Sequence, residues 1–364
     1  MQPAVCHTFY NPRMNQLDIL VPFGLPPPDL AKDFLRQCNA PSLAMLLTRG
    51  KVLQTESFNP FSRALPHESW LASKFLAKSP DTQNSPPVAH ALMRNFGLQA
   101  ESGTWFVLQP VHFHIARDHI VLTDPRQLAL QDAEARLLFE AARPLFEETG
   151  KALVYGDATT WFVRADDWHD LHTATPDAAC GHNIDIWLPK GDAELAWRKL
   201  QNEVQMHWHT HAVNAEREGR GSKPVNSLWL WGGATVSNGA TTAPALYSDL
   251  FNLHGWSTAM SGSQIRNHGA CHAIDTVLAQ PKHGFVLLDD LLEAGLAADW
   301  GTWLQQLHML DTEWFRLFVS ALQGGRLQRV NLILTHNTAL AEFCASRASL
   351  RKFWVKPSLH RLLP

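Results

Sequence analysis

The sequence is poor in several kinds of residue, and each shortage narrows the class of protein. Only 5 of its 364 residues are cysteine, and they are scattered without a CxxC pair, which is typical of reduced thiols in the cytoplasm. Charged residues make up 18%, too few for a disordered tail or a coiled coil. The formal net charge of −3 offers no basic excess for a phosphate backbone, so we expect no nucleic-acid partner.

Long apolar runs are missing as well. The longest ones, such as Phe285–Leu288, are far shorter than the ~20 residues of a membrane-spanning helix, so we expect no membrane partner. The segment Met1–Asn15 lacks the basic and then apolar pattern of a secretory signal. These features together predict a soluble, cytoplasmic protein.

The residues that are abundant indicate a folded protein with more than one domain. Hydrophobic residues make up 45%, and the length fits two or three domains. Apolar runs alternate with amphipathic segments in the first and last thirds, which predicts an α/β fold with a mostly parallel sheet and helices on both faces. The strands and helices predicted there are strands at 17–22, 226–231, 284–288 and 329–334, and helices at 29–37, 40–50, 67–76, 248–254, 270–278 and 299–323.

The middle of the chain has a different pattern. Short strand signals at 105–115, 119–122, 152–155, 160–163 and 170–173 accompany two long amphipathic helices at 128–148 and 192–211. We therefore predict a separate α+β unit. The predicted organisation is an α/β core formed by residues 1–89 with 222–364, and an inserted α+β domain at 90–221.

The densest polar stretch runs from 202 to 232 and contains most of the candidate site residues. Glu203, His207 and His211 are spaced i, i+4, i+8, so they form one row on a helix. Imidazole and carboxylate are suitable donors for a divalent metal, and the alternative is a polar stripe that packs beside the apolar face.

The residues that follow this helix suggest an anion site. Asn214, Arg217 and Arg220 lie beside glycines, where a guanidinium can offer two parallel donors to a phosphate or carboxylate. The alternative is a surface turn with ordinary salt bridges.

The next strand begins at Asn226 and places two tryptophans on one of its faces. Trp229 and Trp231 are two residues apart, so their side chains point the same way. They could stack on a ligand or pack against the neighbouring domain, and we favour packing against the domain.

Two further candidates follow predicted strands near the end of the chain. Asp289 and Asp290 come after the strand at 284–288, where carboxylates often bind metals, although one of them could instead cap a helix. His336 follows the last predicted strand in the same way.

Several motifs carry a resemblance to known families. They are NEVQM, HTHAVNAERE-GRG and VNSLWLWGG between 202 and 233, QPVHF at 109–113, and DW-GTW-LxxLHMLDTEWF at 299–315. With them the chain resembles, nearly end to end, a proteobacterial family of RpfE-like regulatory proteins that is often labelled phosphoglycerate mutase.

A more distant resemblance is to the archaeal-type cofactor-independent phosphoglycerate mutases of the alkaline-phosphatase superfamily. The positions that resemble their motifs are Asn214, Arg217, Gly221, Asn226 and Gly232, with segments 40–46, 292–299 and 335–339. This resemblance implies an alkaline-phosphatase-like core, and in the family a two-metal centre and phosphoryl transfer.

The sequence departs from the family at the positions where the resemblance implies metal ligands. Leu292 and Leu296 stand at two of them, and hydrocarbon cannot donate a lone pair to a metal. His336 and Asn337 stand at two more, and the segment Val21–Gly24 has no counterpart of the first-strand aspartate. The resemblance therefore implies a scaffold whose metal centre has been dismantled.

The sequence predicts a non-catalytic regulatory or ligand-binding protein, a pseudoenzyme without a metal cofactor. The expected partner is a small anionic or phosphorylated metabolite bound between domains, and binding of a protein partner is a further possibility. The predicted ligand-binding residues are His211, Asn214, Arg217, Arg220, Asn226, Trp229 and Trp231. The alternative is a metal-dependent phosphoglycerate mutase or phosphohydrolase that holds Mn or Zn through Glu203, His207, His211, Asp289, Asp290 and His336. An unrelated small-molecule enzyme is a third reading that no motif selects.

Overall fold

The structure is a computed structural model, and it describes residues 16–76, 83–235, 246–261, 265–271, 274–279 and 283–363. Its strands are β1 Gln16–Val21, β2 Lys51–Ser57, β3 Thr104–Val111, β4 Phe113–Ile115, β5 Ile120–Leu122, β6 Ala152–Tyr155, β7 Trp161–Arg164, β8 Ser227–Thr235, β9 Asp249–Phe251, β10 Arg266–Asn267, β11 His283–Leu287, β12 Arg329–Thr335 and β13 Ala339–Ser346. Its helices are α1 Ala31–Gln37, α2 Pro41–Arg49, α3 Pro66–Phe75, α4 Ala89–Asn95, α5 Asp132–Glu148, α6 Pro176–Ala179, α7 Glu194–His209, α8 Ala212–Gly219, α9 Ile274–Leu278, α10 Leu292–Leu296, α11 Trp300–Leu310, α12 Arg316–Gly324 and α13 Arg347–Leu350.

The larger sheet has the strand order β10-β9-β11-β1-β12-β13-β2. Its centre is parallel, because β1 pairs in parallel with both β11 and β12, and β9 pairs in parallel with β11 and β10. Among the described strands of this sheet only β13 runs in the opposite direction, because it pairs antiparallel with both β12 and β2. Strands β1 and β11 are almost entirely buried, as expected for a sheet covered by helices on both faces. The predicted α/β fold with a mostly parallel sheet is confirmed.

The second sheet is antiparallel, with the order β6-β7-β3-β8. One face packs against α5 and α7 through a separate apolar cluster that includes Leu138, Trp197 and Leu230. The other face carries Trp105 and Trp229 into the cluster that also covers the larger sheet. The two sheets are thus joined by a continuous apolar contact.

Strand β8 lies in this second sheet, although the predicted core began at residue 222. Its partner is β3, with Trp229 opposite Gln109 and Trp231 opposite Val107. The domain boundaries themselves stay a prediction.

Several predicted elements differ in the structure. The segment 248–254, expected to be helical, contains β9, because pairing with the central strand β11 overrides local helix preference. The helix expected at 270–278 is reduced, among the described residues, to α9, and the strand at 170–173 to an isolated bridge at His172. The edge strand β2 and its neighbour β13 were not predicted. Strand β2 is exposed along its length and has no apolar alternation that would indicate a strand.

The long C-terminal helix agrees better with its prediction. It runs through α11, a π-helical turn at Asp311–Phe315 and α12, and it ends at Gly325 in the left-handed conformation (φ 77°). Trp303 anchors it, since its Nε1 donates to the carbonyl oxygen of Phe23 at 2.9 Å. The helix thereby fixes the chain that leaves β1.

Gly295 allows α10 to approach this same segment. A Cβ atom at position 295 would lie 2.4 Å from Cδ1 of Phe23. Phe23 cannot easily move away, because its side chain is buried and its backbone has a φ of 55°. Replacing Gly295 by alanine should therefore lower the free energy of unfolding by about 1–3 kcal/mol, measured by urea denaturation. Gly219→Ala is the matched control, because a Cβ there meets no described heavy atom within 4 Å. Equal stability of the two variants would contradict this packing constraint.

Candidate functional site

A cavity of about 320 Å³ lies between the carboxyl ends of the central strands and the second sheet. Pro22 follows β1 and Asp289 follows β11 on one wall, and Trp231 of β8 forms part of the opposite wall. This edge of a parallel sheet is where ligands bind in α/β folds. The remaining lining residues are His67, Glu68, Leu71, Leu92, Val107, Gln109, Pro125, Arg126, Thr159, Thr160, Pro176, Asp177, His254, Gly255, Trp256, Ser257, Leu287 and Leu292.

Helix α3 brings His67 and Glu68 to this cavity. Pro66 occupies the first turn, where its missing N–H costs nothing, and Glu68 reaches back to the start of the helix. Its Oε2 accepts hydrogen bonds from the backbone N–H of Leu65 (2.7 Å) and from Oγ1 of Thr175 (2.6 Å). Glu68 therefore connects α3 to the segment that leads into α6.

An ion-pair network borders the same wall. Arg126 donates to both carboxylate oxygens of Asp177, through Nη1 (3.1 Å) and Nη2 (2.8 Å), and its Nε donates to Asp124 at 3.1 Å. Both carboxylates are buried, so the pairing offsets the cost of removing their charge from water. Burial opposes the charge of Arg126, but Asp177 and Asp124 raise its pKa above the usual value.

The burial of α3 suppresses the charges of its two polar residues. Burial, with a further contribution from the charge of Asp177, raises the pKa of Glu68 to about 8. Burial, and then the charge of Arg126, lowers the pKa of His67 to about 3. Both side chains are thus mostly neutral at pH 7.

Two atoms of this pair have no hydrogen-bond partner. They are Nδ1 of His67 and Oε1 of Glu68, in side chains that are 3% and 0% exposed. One donor atom each of His67, Glu68 and Asp177 lies within 4.8 Å of the others. Among the described residues this is the group of histidine and acidic side chains whose spacing suits a metal ion.

A second ionic contact lies on the wall formed by the larger sheet. Nε2 of His254 lies 3.0 Å from Oδ2 of Asp289. Burial raises the pKa of Asp289, although His254 opposes the shift. Asp290, the neighbouring candidate, is exposed and does not line the cavity.

The predicted anion-binding residues 214–220 instead form a structural network. Arg217 is fully buried and donates to Glu134 (2.6 Å), to the carbonyl of Leu128 (2.5 Å) and to the carbonyl of Lys223 (2.8 Å). Asn214 donates to the carbonyls of Trp208 and Val225 and accepts from the N–H of Val225.

Arg220 and Asn226 also make contacts within the chain. Arg220 is exposed and donates to Glu134. Asn226 bridges to the backbone of Phe113, accepting from its N–H at 2.7 Å and donating to its carbonyl at 2.9 Å. Neither lines the cavity.

The two tryptophans have different roles. Nε1 of Trp229 donates to the carbonyl of Ala174 at 2.8 Å inside the apolar cluster. Trp231 lines the cavity edge-on to Trp256, and its Nε1 has no partner. Of the seven predicted ligand-binding residues, Trp231 is the one on the cavity wall.

The predicted metal row on α7 is not gathered into a metal-sized cluster. His207 is exposed, Glu203 lies 3.9 Å from Lys199, and Nδ1 of His211 accepts from the N–H of Val213 to cap α8. His336 lies elsewhere, packed against Phe23 and lining a second cavity. The alternative metal set predicted from the sequence is therefore dispersed, with Asp289 as its member on the main cavity.

Sequence reasoning missed His67, Glu68, Arg126 and Asp177. The Pro-His-Glu start of α3 resembles any helix beginning, since proline and then glutamate are common in a first turn. Arg126 and Asp177 lie 51 residues apart, and no local pattern relates them. Only the fold brings these residues together.

Comparisons with known proteins agree with this fold. No protein-family model matches the chain. A stretch of 111 residues, 30% of the chain, is 27% identical to a probable 2,3-bisphosphoglycerate-independent phosphoglycerate mutase of Geobacter sulfurreducens and spans 26% of that protein. The chain is thus distantly related to this mutase over about a quarter of the mutase's length.

One solved structure extends the similarity to most of the chain. The structure of the PH0037 protein from Pyrococcus horikoshii has a TM-score of 0.53 at 12% identity and covers 92% of this chain and 88% of its own. It shares the fold. The cofactor-independent phosphoglycerate mutase of Thermoplasma acidophilum has a TM-score of 0.42 at 12% identity, with 96% of this chain and 94% of that chain covered.

Within the described residues, no helix has the length and apolar character that a membrane crossing requires.

The network around Arg217 predicts a loss of stability rather than of binding. Arg217→Ala leaves Glu134 without its buried partner and two carbonyls without donors, so the free energy of unfolding should fall by about 3–5 kcal/mol in urea denaturation. Arg220→Ala removes the exposed partner of the same glutamate and should cost under about 1 kcal/mol. A stable Arg217→Ala protein would show that the guanidinium is not structural.

His336 predicts a loss of stability in acid. Burial lowers its pKa to about 4, whereas an unfolded histidine titrates near 6.5. Between these values the unfolded chain binds more protons, so stability falls as the pH drops from about 6.5 to 4, by up to about 1.4 kcal/mol per pH unit. His336→Gln should reduce this slope in urea denaturation at several pH values. An unchanged slope would contradict a neutral His336 in the folded protein.

Proposed function

We propose that this chain is a non-catalytic, phosphoglycerate-mutase-like protein that binds a small anionic metabolite in the cavity between its two sheets. The resemblance to RpfE-like proteins supports a regulatory role for that binding. The observation that carries the proposal is the chemistry of the cavity wall at the carboxyl edge of the larger sheet. Leu292 stands there, at a place where the resemblance to the mutases implies a metal ligand, and Pro22 belongs to the segment 21–24 that has no counterpart of the first-strand aspartate.

The residues present do not fit the two-metal centre of the mutases. Pro22 and Leu292 offer no side-chain donor, and Leu296 is half-buried outside the cavity. His336 borders a different cavity, and Asn337 is exposed. Two ions about 3.5–4 Å apart need a shared set of carboxylates and imidazoles. Leucine and asparagine stand instead at three of the positions where the resemblance implies such ligands, namely Leu292, Leu296 and Asn337.

The cavity suits a small ligand in its size and walls. Its volume is within the range of about 300–1,000 Å³ that is usual for small-molecule sites. Apolar side chains such as Trp231, Leu71 and Leu287 alternate with a few buried polar groups. Such walls hold a ligand's body by burial and orient it through the polar groups.

The charges of the wall set a condition on an anionic ligand. The guanidinium of Arg126 is engaged by Asp177 and Asp124, and Asp289 adds a further carboxylate. An anion entering alone would meet more negative than positive charge. A cation that binds with it would remove that repulsion.

A metal-dependent mutase is the second candidate, and the group of His67, Glu68 and Asp177 is the observation in its favour. A turnover assay separates the two. The purified chain is incubated with 3-phosphoglycerate and Mn²⁺ or Zn²⁺, and formation of 2-phosphoglycerate is followed. We expect no turnover above the metal-only blank. Sustained turnover that depends on the metal would overturn the non-catalytic assignment.

Binding is tested with 3-phosphoglycerate as the probe, with Zn²⁺ present, by calorimetry. Trp231→Ala removes a large part of one cavity wall, so we expect it to weaken binding by at least about tenfold. Trp354→Ala is the control, because Trp354 is 69% exposed and outside the cavity. Absence of binding to the unaltered chain would exclude phosphoglycerate as its ligand, and equal weakening in both variants would place binding elsewhere.

A further inference from the structure

We propose that His67, Glu68 and Asp177 bind one divalent transition-metal ion, Zn²⁺ or Mn²⁺, on the wall of the cavity. These three residues are not among the positions where the resemblance to the mutases implies metal ligands, although they line the same cavity as Pro22 and Leu292. The metal site does not depend on the metabolite proposed above, because the metal alone tests it.

The geometry of the three side chains supports a single ion. One nitrogen or oxygen donor from each lies within 4.8 Å of the other two. Ligands of a tetrahedral zinc ion lie about 3.3 Å apart when the bonds are 2.0–2.1 Å long. Small rotations of the three side chains would bring the donor atoms from within 4.8 Å of one another to this spacing. One imidazole with two carboxylates is a donor set that suits zinc and manganese.

The unpartnered atoms are a second and independent observation. Nδ1 of His67 and Oε1 of Glu68 are buried against the cavity without any hydrogen bond. Leaving a buried polar atom unpaired costs about 1–3 kcal/mol, so each such atom calls for an explanation. A metal ion bound between them would satisfy both.

The second carboxylate is already positioned. Arg126 holds both oxygens of Asp177, each of which keeps a further lone pair for a metal. Metal ligands are commonly oriented by such outer contacts, and here Thr175 fixes Glu68 in the same way. The carboxylates of Asp124, Asp177 and Glu68 against Arg126 leave two negative charges when all are ionised. A divalent ion balances them.

Three protein ligands leave one position open toward the cavity. Metal sites with an open fourth position bind water or a ligand there, whereas closed sites with four protein ligands are structural. The ion would also supply the positive charge that the cavity lacks for an anion. The site thus accounts for an anionic ligand beside an acidic wall.

The experiment uses the full chain stripped with a chelator and titrated with Zn²⁺, and separately with Mn²⁺, by calorimetry. We expect one ion per chain and a higher melting temperature in its presence. Glu68→Gln should weaken binding by at least about tenfold. The glutamine oxygen can still accept from Leu65 and Thr175, so this variant should fold, and circular dichroism checks that it does.

Two more variants keep the result interpretable. His67→Gln should weaken binding to a similar extent, while His207→Gln, in the exposed row on α7, should leave the stoichiometry and affinity unchanged. Absence of binding to the unaltered chain would overturn the proposal. So would binding that survives Glu68→Gln, or binding that is lost in His207→Gln. These titrations contain no metabolite, so a failure of metal binding is distinguished from a failure of 3-phosphoglycerate binding by the separate calorimetric experiment described above.

Discussion

A single buried carboxyl group connects the two walls of the cavity. Oε2 of Glu68 accepts from Leu65 on the side of the larger sheet and from Thr175 on the side of the second. The N–H of Thr175 in turn donates to the carbonyl of Arg63 at 2.9 Å. Because Glu68 is wholly buried, breaking either bond leaves a polar atom without a partner or water. The same residue thereby connects the two walls and contributes a polar group to the cavity lining.

The central strands and the long helix could be predicted from sequence, because each carries its own signal. The apolar runs that became β1, β11 and β12 are continuous, and the long helix has a clear apolar face that ends at two glycines. The cavity residues carry no comparable signal. His67, Arg126 and Asp177 become neighbours only through the topology of the fold. Local sequence patterns do not predict such contacts between residues that are far apart in the chain.

The polar stretch at 202–232 illustrates that a dense group of polar residues in a sequence can serve contacts within the chain. Its most promising residue, Arg217, uses its guanidinium on Glu134, 83 residues earlier in the chain, and on two backbone carbonyls. Buried backbone groups need partners as much as ligands do, and arginine and asparagine serve both purposes. Trp231 differs because it lies on strand β8 and lines the cavity between the sheets. The departures at Leu292 and Val21–Gly24 were more informative, since an apolar side chain cannot act as a ligand in any arrangement.

The position of β1 has a consequence for how the chain is made. This strand is the first described element, yet both of its neighbours, β11 and β12, come from the last quarter of the sequence. Gln16 of β1 pairs with His283 of β11, so more than 260 further residues must be synthesised before β1 can form its hydrogen bonds with β11. The contiguous segment from β3 to β8 has its own apolar cluster and can fold first on the ribosome. The cavity, which needs both, is therefore completed only when translation is almost finished.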